Sequence, residues 1–400
     1  MNVGVQPLSF AFLDSLKNYL KASDMTRRKL NIAIVTFPSN DDAGLVALKN
    51  LADVIFPLVN ELYFITGGSN YNYLKQDVRV KIYRIDHTSG SNIFTKAIRY
   101  AITQIKISQK IIKTSPNIQY FIFFVGGPSL LLPMLVSKIL RKKVVLNLAG
   151  SDIDSIKAKS FILAAPIKIM VKLNFMFSNF IIIYAASIID QYHLVPYKSK
   201  VRVAHKHFLD FQKMRITKPL NERVTIIGYI GRLSEEKGII NFIKAIPLIL
   251  KQGDTVQLLI AGDGNLLEQV KKYLNVNNFV DNVKLIHWIS HDEIPAYLNQ
   301  LKLIVLPSYT EGLPNIMLEA MACGTPVLTT SVGAIPDFVT DSETGFIMEN
   351  NSPECIAFNV SRALNHPQLE HIVQKARCLV EHEFTFEKAV EGYRKILGEL

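Results

Sequence analysis

Cysteine is scarce in this chain of 400 residues. Only Cys323, Cys355 and Cys378 are present, scattered, with neither metal-ligand spacing nor an even disulfide set. That excludes a disulfide-stapled secreted fold and fits a reducing compartment. Long apolar runs are also missing. The best candidate, Leu173 to Ile189, carries Asn174, Ser178 and Asn179 and is shorter than the ~20 apolar residues that span a bilayer. It reads as a helix end, a break near Ser178-Asn179 and a strand from Phe180 to Tyr184. No basic segment precedes the apolar positions of Met1 to Leu13, so no secretory signal is expected. There is no internal repeat, no low-complexity tract, no zinc-finger spacing and no RNA-binding signature. No strand is followed by G-x-G-x-x-G, which argues against hydride transfer from a dinucleotide.

Acidic residues are short in one half only. Residues 1–218 hold 30 Lys and Arg against 12 Asp and Glu, whereas residues 219–400 hold 15 against 22. Such asymmetry points to an anionic partner for the first half. With no nucleic-acid signature, and with that half unusually apolar, an anionic membrane surface or a lipid phosphate fits better than nucleic acid. A solvated basic surface is the plainer alternative.

What is abundant is an alternation of strand-like and helical patterns, the mark of parallel α/β sheets. One series of strands begins at Asn31–Thr36 and runs to Ile181–Ala185. A second begins at Thr225–Ile230 and runs to Pro326–Thr329, with a polar junction near 205–222. Two Rossmann-like domains follow, over 31–218 and 219–385, with an N-terminal extension at 1–30 and a terminal helix at 386–400. In the extension, Leu8, Phe12, Leu16, Tyr19 and Leu20 fall at helical spacing ahead of Arg27-Arg28-Lys29. That pattern suits an amphipathic helix on a membrane or a helix packed on the domain. Lys157, Lys168 and Lys172 edge an apolar helical stretch with the same two readings.

The segment richest in chemistry is Glu311-Gly312-Leu313-Pro314-Asn315-Ile316-Met317-Leu318-Glu319, which follows the buried-strand pattern Leu303–Leu306. Pro314 suits the first position of a helix. Glu311 then sits on the loop before that helix and Glu319 in its second turn. The free amides from Gly312 to Ile316 would favour an anion, phosphate above all. Two carboxylates flanking an anion can accept hydrogen bonds from hydroxyls on either side. A ligand with hydroxyls, phosphates and hydroxyls is a nucleotide sugar. Upstream, Arg232 and Lys237 lie on a loop bracketed by Gly231 and Gly238, where two cations suit a diphosphate leaving group.

These segments resemble the donor signature of the family 4 glycosyltransferases, which have the GT-B fold. So do Gly228–Gly238, Leu259–Gly264, Ser331–Asp337 and Glu343–Phe346, and the resemblance covers the chain from about Val224 to the end. It implies an α/β GT-B architecture, two doubly wound domains facing across a cleft, with the last helix returning to the first domain. It also implies a hexosyltransferase using a nucleotide diphosphate sugar, with no cofactor and no metal, mostly with retention of anomeric configuration. By this resemblance Glu311 contacts donor-sugar hydroxyls and Glu319 the ribose. Arg232 and Lys237 hold the diphosphate, and Gly231, Gly312, Leu313, Pro314 and Asn315 complete the donor site.

The first half departs from the pattern. Where the family has a Gly-Gly loop after the first strand, this chain has Phe37–Gly44, of which Gly44 alone matches well, and Asp41-Asp42 would not help to bind phosphate. Where the family has His-Gly-Ser-Asp, the chain has Ala149-Gly150-Ser151-Asp152. Asp152 remains either a catalytic acid or base or a helix cap. His205 and His207, two apart, suit one face of a strand and lack partners at metal spacing. Loops around His287 to His291 are expected near the base.

The expected activity is sugar transfer to a membrane- or lipid-linked glycan acceptor, polyprenyl-phosphate-linked at best guess. Surface polysaccharide synthesis or protein glycosylation would be its setting, on a cytoplasmic protein peripheral to the inner face of the membrane. The rivals are the same fold acting on a soluble sugar, and a non-catalytic nucleotide-sugar-binding subunit.

Overall fold

The computed structural model describes residues 30–38, 44–148, 164–251 and 256–399. The chain divides into two compact units, Met1–Phe208 with Phe386–Leu400, and Leu209–Thr385.

The first unit holds a sheet of strands β1 (Asn31–Val35), β2 (Glu61–Thr66), β3 (Val80–Arg84), β4 (Tyr120–Phe123), β5 (Lys143–Asn147), β6 (Phe180–Ile183) and β7 (Val201–Val203). Their order is β3-β2-β1-β4-β5-β6-β7, and every pairing is parallel. Ile-, Val- and Phe-rich strands such as β1 and β4 are buried on both faces, as a parallel sheet requires. The helix Phe386–Gly398 belongs to this unit although it follows the second in sequence. Its apolar stripe, Phe386, Ala389, Val390, Tyr393, Ile396 and Leu397, joins the core formed by β1, β2 and the Leu45–Ile55 helix. Asn147 donates to the Tyr393 hydroxyl at 2.6 Å, which satisfies both buried polar groups.

The second unit holds β8 (Ile226–Ile230), β9 (Gln257–Ala261), β10 (Val283–Ile286), β11 (Leu303–Leu306), β12 (Val327–Thr330) and β13 (Phe346–Met348). Their order is β10-β9-β8-β11-β12-β13, again all parallel. Residues 209–218, placed in the first domain by the sequence pattern, pack here. The Asn299 side chain accepts from the Thr217 amide at 2.7 Å. Arg223, buried without a carboxylate, donates to the carbonyls of Lys218, Leu298, Leu301 and Cys323 and to the Thr325 hydroxyl. Burial lowers its pKa to about 10.

In each sheet the strand order reverses once, between β1 and β4 and between β8 and β11. Loops leaving such a switch point diverge and open a crevice at the carboxyl ends of the strands. The strands β7 and β13 have no counterpart in the sequence pattern. Each is a three-residue edge strand, too short for period-two alternation to register. The break at Ser178-Asn179 falls where expected, between the helix Ala164–Phe177 and β6.

Candidate active site

Two loops leave the switch point of the second unit, one after β8 and one after β11. The first is pinned along its length. The amide of Gly231 donates to the Ala261 carbonyl at 2.9 Å, that of Leu233 to Asp263 at 2.9 Å, and that of Leu266 to Leu233 at 3.0 Å. The buried Tyr229 hydroxyl donates to the Arg232 carbonyl at 2.8 Å. Gly238 then turns the chain with φ +70°, and a Cβ there would lie 2.0 Å from the Pro307 carbonyl oxygen of the second loop. Only glycine allows both the left-handed turn and that approach.

This contact brings Lys237 to Glu311. Its Nζ lies 2.6 Å from Glu311 Oε2, while the Ser308 hydroxyl donates to Oε1 at 2.7 Å. The Glu311 side chain is 8% exposed and Lys237 29%. A carboxylate so buried needs both partners, and its orientation is thereby fixed. Arg232 is more exposed, with Nη1 4.0 Å from Glu236 Oε1. Ser308 had no signal in the sequence beyond its place after Pro307, and its role emerges only from the loop geometry.

The helix after the second loop begins at Asn315, one residue later than the sequence suggested. Pro314 is its cap, with ψ 119° and no hydrogen to donate, so it shapes the turn rather than occupying the first helical position. The amides of Gly312, Leu313, Asn315 and Ile316 have no partner among the described residues. They form an array of donors at a helix N-terminus, suited to an anion. The loop is backed by Gly333, φ +61°, where a Cβ would lie 2.2 Å from the Glu311 carbonyl oxygen. The next amide, Ala334, donates to Gly312 at 2.9 Å.

Glu319 lies in the second turn, 5% exposed, with Oε1 3.0 Å from His291 Nε2. That hydrogen bond holds the imidazole pKa above its ordinary value, against the effect of burial. The His287–His291 region thus meets the helix at the His291–Glu319 hydrogen bond.

Fewer of the expected site residues can be placed in the first unit. Gly44 caps the Leu45–Ile55 helix beyond β1, and a Cβ there would come 3.0 Å from Val125 Cγ1. Ala149, Asp152, Lys157, residues 39–43 and the extension 1–29 lie outside the described residues. Lys168 and Lys172 are exposed on the Ala164–Phe177 helix. His205 and His207 do not share a strand face, because β7 ends at Val203. Instead His205 Nδ1 lies 3.0 Å from the His207 carbonyl oxygen, and desolvation of the half-buried His207 ring pushes its pKa well below the ordinary value. Among the described residues no three His, Cys, Asp or Glu side chains gather as metal ligands do.

Residues 210–377 match the family model of group 1 glycosyl transferases. The capsular polysaccharide biosynthesis glycosyltransferase CapM of Staphylococcus aureus is 35% identical over 48% of this chain and 52% of its own length. The chain thus spans about half the length of the first curated relatives it matches. The N-acetyl-alpha-D-glucosaminyl L-malate synthase of Bacillus anthracis is 22% identical over 92% of the chain and 96% of its own length. Among solved structures, Anabaena HepE in complex with UDP superposes with TM-score 0.73, covering 93% of this chain and all of that one at 16% identity. This likeness, with the two parallel α/β units, shows the GT-B fold.

Proposed function

We propose that this chain transfers a sugar from a nucleoside diphosphate sugar to a glycan acceptor, with retention and without a metal. The observation that carries this is the cluster at the β8/β11 switch point: Glu311 clamped by Lys237 and Ser308 beside four unpartnered amides. The bond between the anomeric carbon and the diphosphate oxygen breaks, and a bond from that carbon to the acceptor oxygen forms. Lys237 and Arg232 neutralise the charge that grows on the departing diphosphate, a task otherwise given to a metal. The amides from Gly312 to Ile316, other than Pro314, hold phosphate and sugar oxygens. Glu311 accepts from hydroxyls of the donor sugar, and Glu319 accepts from the ribose in place of His291. Asp152 remains the candidate acid or base toward the acceptor.

The acceptor is proposed to be lipid-linked and held at a membrane, with the protein peripheral to the inner face. The basic first half supports this, as does a relative named for capsular polysaccharide biosynthesis. Among the described residues no helix is long and apolar enough to cross a bilayer. The relative named N-acetyl-alpha-D-glucosaminyl L-malate synthase, matching almost the whole chain, favours a second reading in which the acceptor is a small soluble molecule. A thermal-shift panel of UDP-, GDP-, ADP- and CMP-sugars, with and without EDTA, tests the donor site, because a ligand raises the melting temperature by mass action. One sugar nucleotide should stabilise the fold equally with EDTA present. A shift abolished by EDTA would remove the metal-free mechanism. Activity surviving Glu311→Gln would remove the role of Glu311.

A further inference from the structure

The longest helix among the described residues of the first unit, Ile93–Thr114, is folded with its polarity reversed. Its buried face is Thr103, Gln104, Ile107, Ser108, Ile111 and Thr114, four of them polar. Those polar groups are satisfied internally: Thr103, Ser108 and Thr114 bond back to carbonyls of their own helix, and Gln104 donates to the Ser129 carbonyl at 2.8 Å. Its outward face is apolar. Phe94 is 78% exposed and Ile98 59%, and Ile102, Ile105 and Ile112 are about half exposed. At ~100° per residue these five fall within an arc of about 80°. A single exposed isoleucine needs no explanation, but a stripe along the whole of a helix marks a surface that something covers.

The flank of the stripe says what covers it. Arg99, Lys106, Lys110 and Lys113 lie in the next arc of about 60°, and the helix contains no acidic residue. Lys106, Lys110 and Lys113 join Arg84 around a recess of about 300 Å³, whose acidic lining is Asp86 alone. Asp86 is already paired with Arg84 at 2.7 Å. The neighbouring helix Leu131–Ile139 packs against this one through Gln104, and it exposes Ile139 beside Lys138, Arg141 and Lys142. An apolar stripe edged by cations, with no acids of its own, is complementary to a layer of acyl chains under anionic headgroups.

We propose that the outward face of the Ile93–Thr114 helix is the docking surface for an anionic phospholipid bilayer. The isoleucine stripe sits at the level of the acyl chains, and the Arg84–Lys106–Lys110–Lys113 recess receives a headgroup phosphate. This deepens the membrane-held acceptor reading above and supplies its attachment site, but it is tested without donor or acceptor. Its failure would leave the transferase reading standing.

The test is flotation of the full-length protein with vesicles of phosphatidylcholine alone or with phosphatidylglycerol added. Wild type should float with the anionic vesicles and stay down with the neutral ones. Ile98→Ser/Ile105→Ser, on exposed positions, should cut binding more than ~10-fold while the melting curve is kept. Lys106→Gln/Lys110→Gln/Lys113→Gln should cut it by roughly 100-fold at low salt, and binding by wild type should weaken as salt rises. Equal binding to neutral vesicles overturns the headgroup part. Unchanged binding by both variants overturns the whole surface and moves the anchor elsewhere in the chain. A wild type that ignores vesicles but dimerises in sedimentation equilibrium, with Ile98→Ser/Ile105→Ser monomeric, makes the face an interface between copies and likewise overturns it.

Discussion

Removing Lys237 separates what the Lys237–Glu311 pair does for the fold from what it does for turnover. In Lys237→Met the Glu311 carboxylate, 8% exposed, keeps only the Ser308 hydroxyl. Breaking a fully buried pair costs about 3–5 kcal/mol. Lys237 is 29% exposed, so solvent screens part of the loss and about 2 kcal/mol is expected. For a domain of this size that is a fall in Tm of roughly 4–8 °C. Glu311→Gln keeps the shape and an oxygen for Ser308, and should cost about 1 kcal/mol. In the double variant no charge is left stranded, so stability should be partly regained, with a coupling of about 1 kcal/mol. Turnover behaves differently. Losing one donor aimed at developing charge costs about 100- to 1,000-fold, and the double variant still lacks the Lys237 ammonium. The expected pattern, measured by thermal denaturation and by kcat/KM on the donor identified from the panel, is stability rescued and activity not. A Lys237→Met enzyme within tenfold of wild type, or activity recovered in the double variant, would refute the role of Lys237 at the leaving group.

Three further outcomes follow from the same geometry. Gly333→Ala, at φ +61° with its Cβ 2.2 Å from the Glu311 carbonyl oxygen, should push the 311–314 loop outward. It should abolish the donor-induced thermal shift while costing at least ~1–3 kcal/mol of stability, read by urea denaturation. The His291–Glu319 bond raises the imidazole pKa, so its contribution is complete below the unfolded-state value and fades as pH rises through the folded one. Under the proposed function the ribose takes the place of His291 on Glu319, so donor affinity measured by calorimetry should rise over that same interval, and His291→Ala should flatten the profile. Arg223→Met strands several buried carbonyls and should lower stability by about 3 kcal/mol or more in chemical denaturation, with kcat unchanged in the remaining folded protein.

The second unit was legible because its site is local in sequence. Glycines, cations and carboxylates fall at fixed offsets from strand ends, and the buried run Leu303–Leu306 announces the strand that presents them. What joins the two loops was not legible. Lys237 and Glu311 are 74 residues apart, and their meeting depends on β8 and β11 being sheet neighbours, with Gly238 letting the loops touch. Strand order is a tertiary fact that no period encodes. The one-residue error at Pro314 has a local cause: proline's fixed φ suits a cap as well as a first turn, and its ψ of 119° decides for the cap. His205 and His207 misled for a similar reason, since spacing of two is a strand signal only inside a strand, and β7 had already ended.

The helix Ile93–Thr114 shows the limit of periodicity most sharply. Isoleucines at 98, 102, 105 and 112 recur at helical spacing, and such a stripe is ordinarily taken to face the core. The period alone gives the angle between two faces, not which of them is inside. That choice is made by the neighbours. Gln104 must reach the Ser129 carbonyl and the Leu132 amide, and Ile107 and Ile111 supply the apolar contacts on the same side. The hydroxyls of Thr103, Ser108 and Thr114 bond back to their own helix, so burying them leaves nothing unsatisfied. The remaining isoleucines are then left outside without any conflict in the first unit's core. A helix that can bury its polar face at little cost is free to spend its apolar one on a partner. The basic surplus of residues 1–218 includes the cations at the edge of that apolar face. Charge asymmetry and reversed amphipathicity are therefore two views of one surface. Neutralising Lys106, Lys110 and Lys113 should remove the salt dependence of vesicle binding, and replacing Ile98 and Ile105 should remove what survives at high salt.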